Sequence, residues 1–147
     1  MKKILPPTIF LLAVLFQVII HFVRPVVQIL DFPWRWSGLG PLALGVWLNL
    51  SADHAFKAYS TTVKPFEVSQ ALITEGVFRF TRNPMYLGMT LILLGLGLLL
   101  GSATPLTVVL ITAVLFDLLY ISPEERLLRQ TFGNAYLQYR TTVRRWI

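Results

Sequence analysis

Between Asn83 and Phe116 the chain runs for 34 residues without an Asp, Glu, Lys or Arg. About 20 apolar residues cross the hydrocarbon core of a bilayer, so this stretch is too long for one span and suits two. Gly101-Ser102-Ala103-Thr104-Pro105 supplies the turn between them. Two more charge-free runs precede it, 20 residues from Ile4 to Val23 and 17 from Trp36 to Ala52. Charged residues make up 14% of the chain, against about 25% in a soluble domain. A soluble enzyme and a disordered chain are thereby excluded. With no Cys, so are a disulfide scaffold, a thiolate metal site and a cysteine nucleophile.

The pattern predicts an all-α integral membrane protein of about four transmembrane helices, near 7–23, 38–56, 84–101 and 105–121, with a helical C-terminal tail. Met-Lys-Lys before an apolar run resembles a signal peptide. No small-x-small cleavage site precedes Arg24, so a retained first helix is expected. Gly38, Gly40, Ala43 and Gly45 suit the second helix to close packing on a neighbour.

With four spans, 11 of the 13 basic residues fall on one side, including Lys2, Lys3, Lys57, Lys64, Arg79, Arg82 and the five arginines of the tail. Arg24 and Arg35 fall on the other. The positive-inside rule then places both termini in the cytoplasm. The net charge of +6 has the same explanation, topology and contact with lipid headgroups, and no nucleic-acid partner is expected.

The polar chemistry therefore gathers on one side in two pieces, a loop at 57–83 and the tail at 122–147. In the first, Asn83-Pro84 reads as an N-cap followed by proline at the first helical position. Arg79 and Arg82 suit interfacial anchors, yet two Arg, an Asn, a Tyr and two Gly crowd one helix mouth. In the second, Ser122-x-x-Glu125 reads as a capping box with Pro123 at the first turn. Leu128, Phe132 and Tyr136 or Tyr139 form an apolar stripe, Arg126, Arg129 and Arg140 face outward, and Gly133-Asn134 interrupts the helix. Asp117, about a turn before the end of the fourth helix, is a functional candidate by its depth. It is equally suited to pair with Arg79, Arg82 or a Lys. Asp53 and His54 suit a solvated helix end. His21 and His54 are expected on opposite sides, too far apart to share a metal. No HExxH, phosphate loop or GxSxG occurs.

The two pieces together, Thr74-Glu75-Gly76-Val77-Phe78-Arg79-Phe80-Thr81-Arg82-Asn83-Pro84-Met85-Tyr86-Leu87-Gly88 and then, after an apolar hairpin, Glu124-Glu125, Leu128, Phe132-Gly133, Tyr136, Tyr139 and Arg145-Trp146-Ile147, resemble the integral-membrane methyltransferases. These are typified by isoprenylcysteine carboxyl methyltransferase and the phospholipid N-methyltransferases. The resemblance covers about 57–147, and 1–56 match as generic membrane helices. One membrane domain over 1–147 follows, two N-terminal spans and then a methyltransferase-like core.

The resemblance implies S-adenosylmethionine bound at the cytoplasmic ends of the last two helices and closed over by the tail. Cofactor-binding residues carried over are Thr74, Gly76, Phe78, Asn83, Tyr86, Leu87, Glu124 and Glu125. Catalytic candidates are Arg82, Asn83 and Arg144, with Arg82 or Arg144 suited to an anionic group of the acceptor. Asn83 stands where the isoprenylcysteine enzymes have His, and an amide hydrogen-bonds but does not titrate. The implied partners are membrane lipids and a lipophilic or amphiphilic acceptor carrying a carboxylate, amine or thiol. Two other readings are a non-catalytic membrane accessory protein and a sterol-type reductase using NADPH. The Glu124-Glu125 pair would repel a 2′-phosphate and disfavours the second.

Overall fold

The computed structural model describes residues 4–23, 27–59 and 70–147. Lys2, Lys3, Arg24 and Lys64, which enter the topology count, lie outside these residues. Among the described residues there are six α-helices: α1 (Pro6–Val23), α2 (Leu39–Ala58), α3 (Pro84–Leu100), α4 (Ala103–Phe116), α5 (Ser122–Phe132) and α6 (Asn134–Thr142). Short 3-10 turns precede α2 and α3 at Trp34–Gly38 and Gly76–Arg79. The first three helices start and stop within two residues of the sequence expectation.

The hairpin of α3 and α4 is flanked by α1, which packs mainly on α4, and by α2, which lies along α3. Glycines set the α2–α3 seam. A Cβ at Gly88 would stand 2.8 Å from Gly45 O, and one at Gly95 2.6 Å from Gly38 O, so the backbones touch. Close approach of this kind replaces the hydrophobic drive that helices lack in lipid. Buried Gln17 ties α1 to the hairpin by donating to Leu93 O at 2.9 Å and Pro105 O at 3.0 Å. The outward faces are apolar and exposed, with Leu11, Leu15 and Ile19 on α1, Trp47 and Leu50 on α2, and Leu110 and Val114 on α4. Such faces suit lipid, and the protein is a membrane protein. Two of its helices, α1 and the rod that begins with α4, are long and apolar enough to cross a bilayer, and α3 is apolar but shorter.

The fourth helix does not stop where the capping box predicts. It passes through one π turn, Asp117–Ile121, directly into α5, giving one rod from Ala103 to Phe132. Ser122 has helical angles, φ −62° and ψ −44°, and makes no capping bond. A cap serves N–H groups that lack carbonyls behind them, and α4 supplies those carbonyls. Pro123 removes a helical N–H and crowds the preceding turn, and the wider π turn lies where that conflict falls. The apolar part of the rod ends at Ile121, and the charged residues of α5 follow it.

The predicted break at Gly133 is present. Its φ of +52° suits glycine, and α5 ends there so that α6 turns back. Tyr136, Tyr139 and Val143 bury themselves against Leu72, Leu128 and Phe132. The Tyr139 hydroxyl donates to Phe78 O at 2.6 Å, fixing α6 to the turn before α3. From there residues 143–147 return as a strap to the bases of α3 and α4.

Candidate active site

The strap is stitched to the segment that opens α3. Arg82 N–H donates to Arg144 O at 3.0 Å. Thr81 Oγ1 and Asn83 Nδ2 both donate to Arg145 O, at 3.1 and 3.0 Å. Asn83 holds the N-cap position with Pro84 first in the helix, as predicted, but its side chain makes no cap. The strap carbonyl has taken the amide. Thr81 Oγ1 accepts from Asn83 N–H at 3.2 Å instead.

Behind the strap lies a closed set of charges. Arg145 reaches Asp117 at 3.1 Å and Glu125 at 2.6 Å, and Arg82 stands 3.2 Å from the other oxygen of Glu125. Trp146 Nε1 donates to Asp117 at 3.3 Å. Asp117 thus has a partner the sequence did not suggest, since Arg79 is exposed and Arg82 is turned to Glu125. Two cations and two anions cancel, which a partly buried cluster requires, because an uncompensated charge there is costly.

In front of the strap is a cavity of about 470 Å³. Its walls are apolar: Leu5 just before α1, Pro6 and Phe10 from α1, Phe56 from α2, Met85, Met89 and Ile92 from α3, and Phe78 from the preceding turn. Phe56 and Phe78 meet edge to face at 5.5 Å. Polar groups converge at one end, where Arg82, Asn83, Tyr86 and Glu124 line it, and Asn49 of α2 is the further polar contributor. A greasy pocket with a few convergent polar groups is the usual form of a small-molecule site.

The two adjacent glutamates face different surroundings. Glu125 is buried between Arg82 and Arg145. Glu124 lines the cavity, has no cation paired to it among the described residues, and accepts the Tyr86 hydroxyl at 2.6 Å. Burial pushes its carboxyl from the ordinary 4.5 up to about 7, with the Tyr86 hydrogen bond working the other way. The cluster also holds unmet hydrogen-bonding capacity. Arg82 Nε and Nη1, Glu125 Oε1 and the Tyr136 hydroxyl are buried without hydrogen-bond partners among the described residues. The Arg82–Glu125 contact is an ion pair off hydrogen-bond alignment. Buried polar atoms are almost always satisfied, so several together mark a place for a polar ligand.

The structure brings together Phe78, Arg82, Asn83, Tyr86 and Glu124 at the cavity, with Glu125 immediately behind. It does not bring the rest. Thr74 and Gly76 are exposed on the preceding loop, Arg144 is exposed and offers only its carbonyl, and Leu87 packs toward α2 with Leu48 and Ala52. His21 pairs with Ser102 at 2.7 Å, and Asp53 with Lys57 at 2.6 Å. Sequence reasoning missed Arg145, whose signal was an Arg doublet available to the intramembrane acid Asp117. It also missed Phe10, Asn49 and Phe56, which sit on helices that the motif pattern does not reach.

Comparison with known proteins gives this geometry a family. The family model for phospholipid methyltransferases matches residues 34–135. The protein-S-isoprenylcysteine O-methyltransferase of Schizosaccharomyces pombe is 32% identical over 119 residues, covering 75% of this chain and 48% of its own length. An uncharacterised Haemophilus influenzae protein is 38% identical over 63 residues, 43% of this chain and all of that one. The solved structure of a eukaryotic intramembrane Ras methyltransferase, isoprenylcysteine carboxyl methyltransferase, superimposes with a TM-score of 0.71 at 21% identity, over 94% of this chain and 51% of that one. The chain thus spans about half the length of the named relative and of the solved structure. It belongs to the phospholipid methyltransferase family.

Proposed function

We propose that the protein transfers a methyl group from S-adenosylmethionine to a lipophilic or amphiphilic acceptor drawn from the bilayer. The observation that carries this reading is the cavity: its walls come from membrane helices, and its polar end is the segment from Arg82 to Tyr86 with Glu124. Four spans with both termini in the cytoplasm accompany it, supported by the charge asymmetry of the sequence and by the gathering of Arg82, Glu124, Glu125 and the strap at one end of the bundle.

The residues present fit the cofactor. The unsatisfied Arg82 Nε and Nη1 suit its carboxylate, since a guanidinium binds carboxylates in a paired geometry. Phe78 and Tyr86 offer aromatic faces to the adenine or the sulfonium. Glu125 holds Arg82 in place, and Asn83 and Tyr136 supply further polar contacts. When bound, the cofactor supplies an activated methyl. The chain's own work is to align the acceptor and keep water out. Such alignment can contribute roughly 7–11 kcal/mol.

The test is calorimetric titration of S-adenosylhomocysteine into the protein in lipid nanodiscs, beside Arg82→Leu. Micromolar binding in the wild type, lost in the variant, is expected, followed by transfer of labelled methyl to a component of a total lipid extract. Absence of binding to folded protein would refute the cofactor assignment.

A further inference from the structure

The end of the bundle away from Arg82 and the strap is closed by a loop that turns its apolar side chains outward. Residues 27–36 lie across the turn between α3 and α4. The N–H groups of Ile29 and Leu30 donate to Gly101 O at 2.8 and 3.0 Å, and Ala103 N–H donates to Val27 O at 2.9 Å. Arg35 Nε and Gln28 Nε2 both donate to Leu30 O, at 2.9 and 3.2 Å. The 3-10 turn Trp34–Gly38 is pressed on the last two turns of α3, where a Cβ at Gly38 would stand 2.9 Å from Leu99 N and closer still to Gly95 O. The loop is thus firmly held, yet Val27, Ile29, Phe32, Trp34 and Trp36 are exposed, Phe32 by 79% and Trp34 by 72%. This apolar surface continues to Phe22 and Val23 at the end of α1 and to Leu39 at the start of α2, which are exposed as well.

We propose that this loop is immersed in the lipid leaflet at its end of the bundle, with its aromatic rings at the glycerol level and the Arg35 guanidinium on a phospholipid phosphate. Helix length calls for such a cap. α3 has 17 residues, which at the helical rise makes about 26 Å, against about 30 Å of hydrocarbon. With its first residue at one boundary, the Gly101 turn stops short of the other, and the loop occupies the missing layer. Backbone groups in lipid must be satisfied within the protein, and here the carbonyls of Val27, Leu30 and Gly101 and the N–H groups of Ile29 and Leu30 all are. Tryptophan favours the boundary because its ring is apolar and its N–H is not. Charge selects the kind of lipid. Asp31 and Arg35 are the only charged residues from 27 to 38, so the loop is neutral and complements a zwitterionic headgroup. Arg35 uses Nε within the protein, and its two terminal nitrogens have no partner among the described residues, which leaves that side of the guanidinium for phosphate. An anchor there fixes the depth of the α3–α4 hairpin, and with it the depth of the cavity at the hairpin's other end.

The test uses the full chain in phosphatidylcholine nanodiscs holding one copy each, wild type beside the double variant Trp34→Phe with Trp36→Phe. The difference in fluorescence isolates the two loop tryptophans. Lipid brominated near the glycerol end of its acyl chains should remove at least about half of that signal, lipid brominated near the chain methyl much less, and aqueous iodide almost none. Phe32→Trp, at an exposed position, should add a signal that follows the same ranking. Iodide quenching as strong as that of free tryptophan would place the loop in water and overturn the proposal. Protection from iodide and from both lipids would mean that protein covers the face, and would overturn it too. Shallow-lipid quenching that disappears in discs holding two copies would assign the face to a second copy of the chain instead. Native mass spectrometry reads the phosphate contact. Wild type in mild detergent with added phosphatidylcholine should carry a bound lipid that Arg35→Gln loses about fivefold or more, while Arg129→Gln keeps it. Equal lipid retention by wild type and Arg35→Gln would overturn the assignment of Arg35.

Discussion

Replacing each of the neighbouring glutamates by glutamine should move stability in opposite directions. Glu125→Gln removes the one anion shared by Arg82 and Arg145, and the side chains of Arg82 and Glu125 are only 8% and 9% exposed. Breaking a buried pair from one side strands the other charge and typically costs about 3–5 kcal/mol. Arg145 keeps Asp117 and is a third exposed, so the loss is set mainly by Arg82. For a chain of this size each kcal/mol shifts Tm by about 2–4 °C, giving a fall on the order of 10 °C. Glu124→Gln removes a carboxyl whose native pKa is raised from 4.5 to about 7. The native state holds that proton more tightly than the unfolded chain. Wild type therefore matches the variant below about pH 4.5 and loses ground as pH rises toward 7. Above pH 7 the variant should be the more stable, by on the order of 3 kcal/mol at most. Thermal unfolding in detergent, followed by tryptophan fluorescence at pH 5 and pH 8, reads both effects. The double substitution Arg82→Leu with Glu125→Leu should recover much of the loss, because neither charge is then stranded. Equal falls in Tm for the two glutamines, or no pH dependence for Glu124→Gln, would refute the division of roles.

Two further outcomes follow from the packing. Asp117→Asn weakens the hold on Arg145 and Trp146, so trypsin should cleave after Arg144 and Arg145 several-fold faster while the helical content stays unchanged; unchanged cleavage would mean that the stitches to Thr81 and Asn83 hold the strap alone. Gly88→Leu should lower stability by about 1–3 kcal/mol or more, since its first carbon would already crowd Gly45 O at 2.8 Å, and a Tm within error of wild type would refute the contact seam.

The helices were legible because charge-free runs and Pro/Gly punctuation are local signals. Asn83-Pro84 opened α3, and Gly133 closed α5. The cap at Ser122 was misread for a reason of the same kind in reverse. Its four-residue signature is also compatible with a continuous rod, and only the π turn at 117–121 decides between them. Of the site, the residues on contiguous motifs, Phe78, Arg82, Tyr86 and Glu124, converge as the pattern suggested. What the pattern left open was the division between Glu124 and Glu125. They are one residue apart, about 100° around the helix, so one meets the cavity and the other the arginines. Arg145 escaped because its partners Asp117 and Asn83 lie 28 and 62 residues away. Pairing over such distances leaves no mark on local sequence.

The stitch between Arg145 O and the Thr81–Asn83 segment also bears on the order in which the molecule is made. A chain is synthesised and inserted from its N-terminus. Arg82 is therefore synthesised more than forty residues before Glu125, and more than sixty before Arg145. During that interval water or a lipid phosphate must keep the guanidinium company. Docking of the strap then expels that temporary partner and seals Arg82 in one late event. A chain stalled before residue 145 would carry all its apolar helices and still have an open, hydrated Arg82. The helices alone make the protein a resident of the bilayer, and the docking of the strap completes its site.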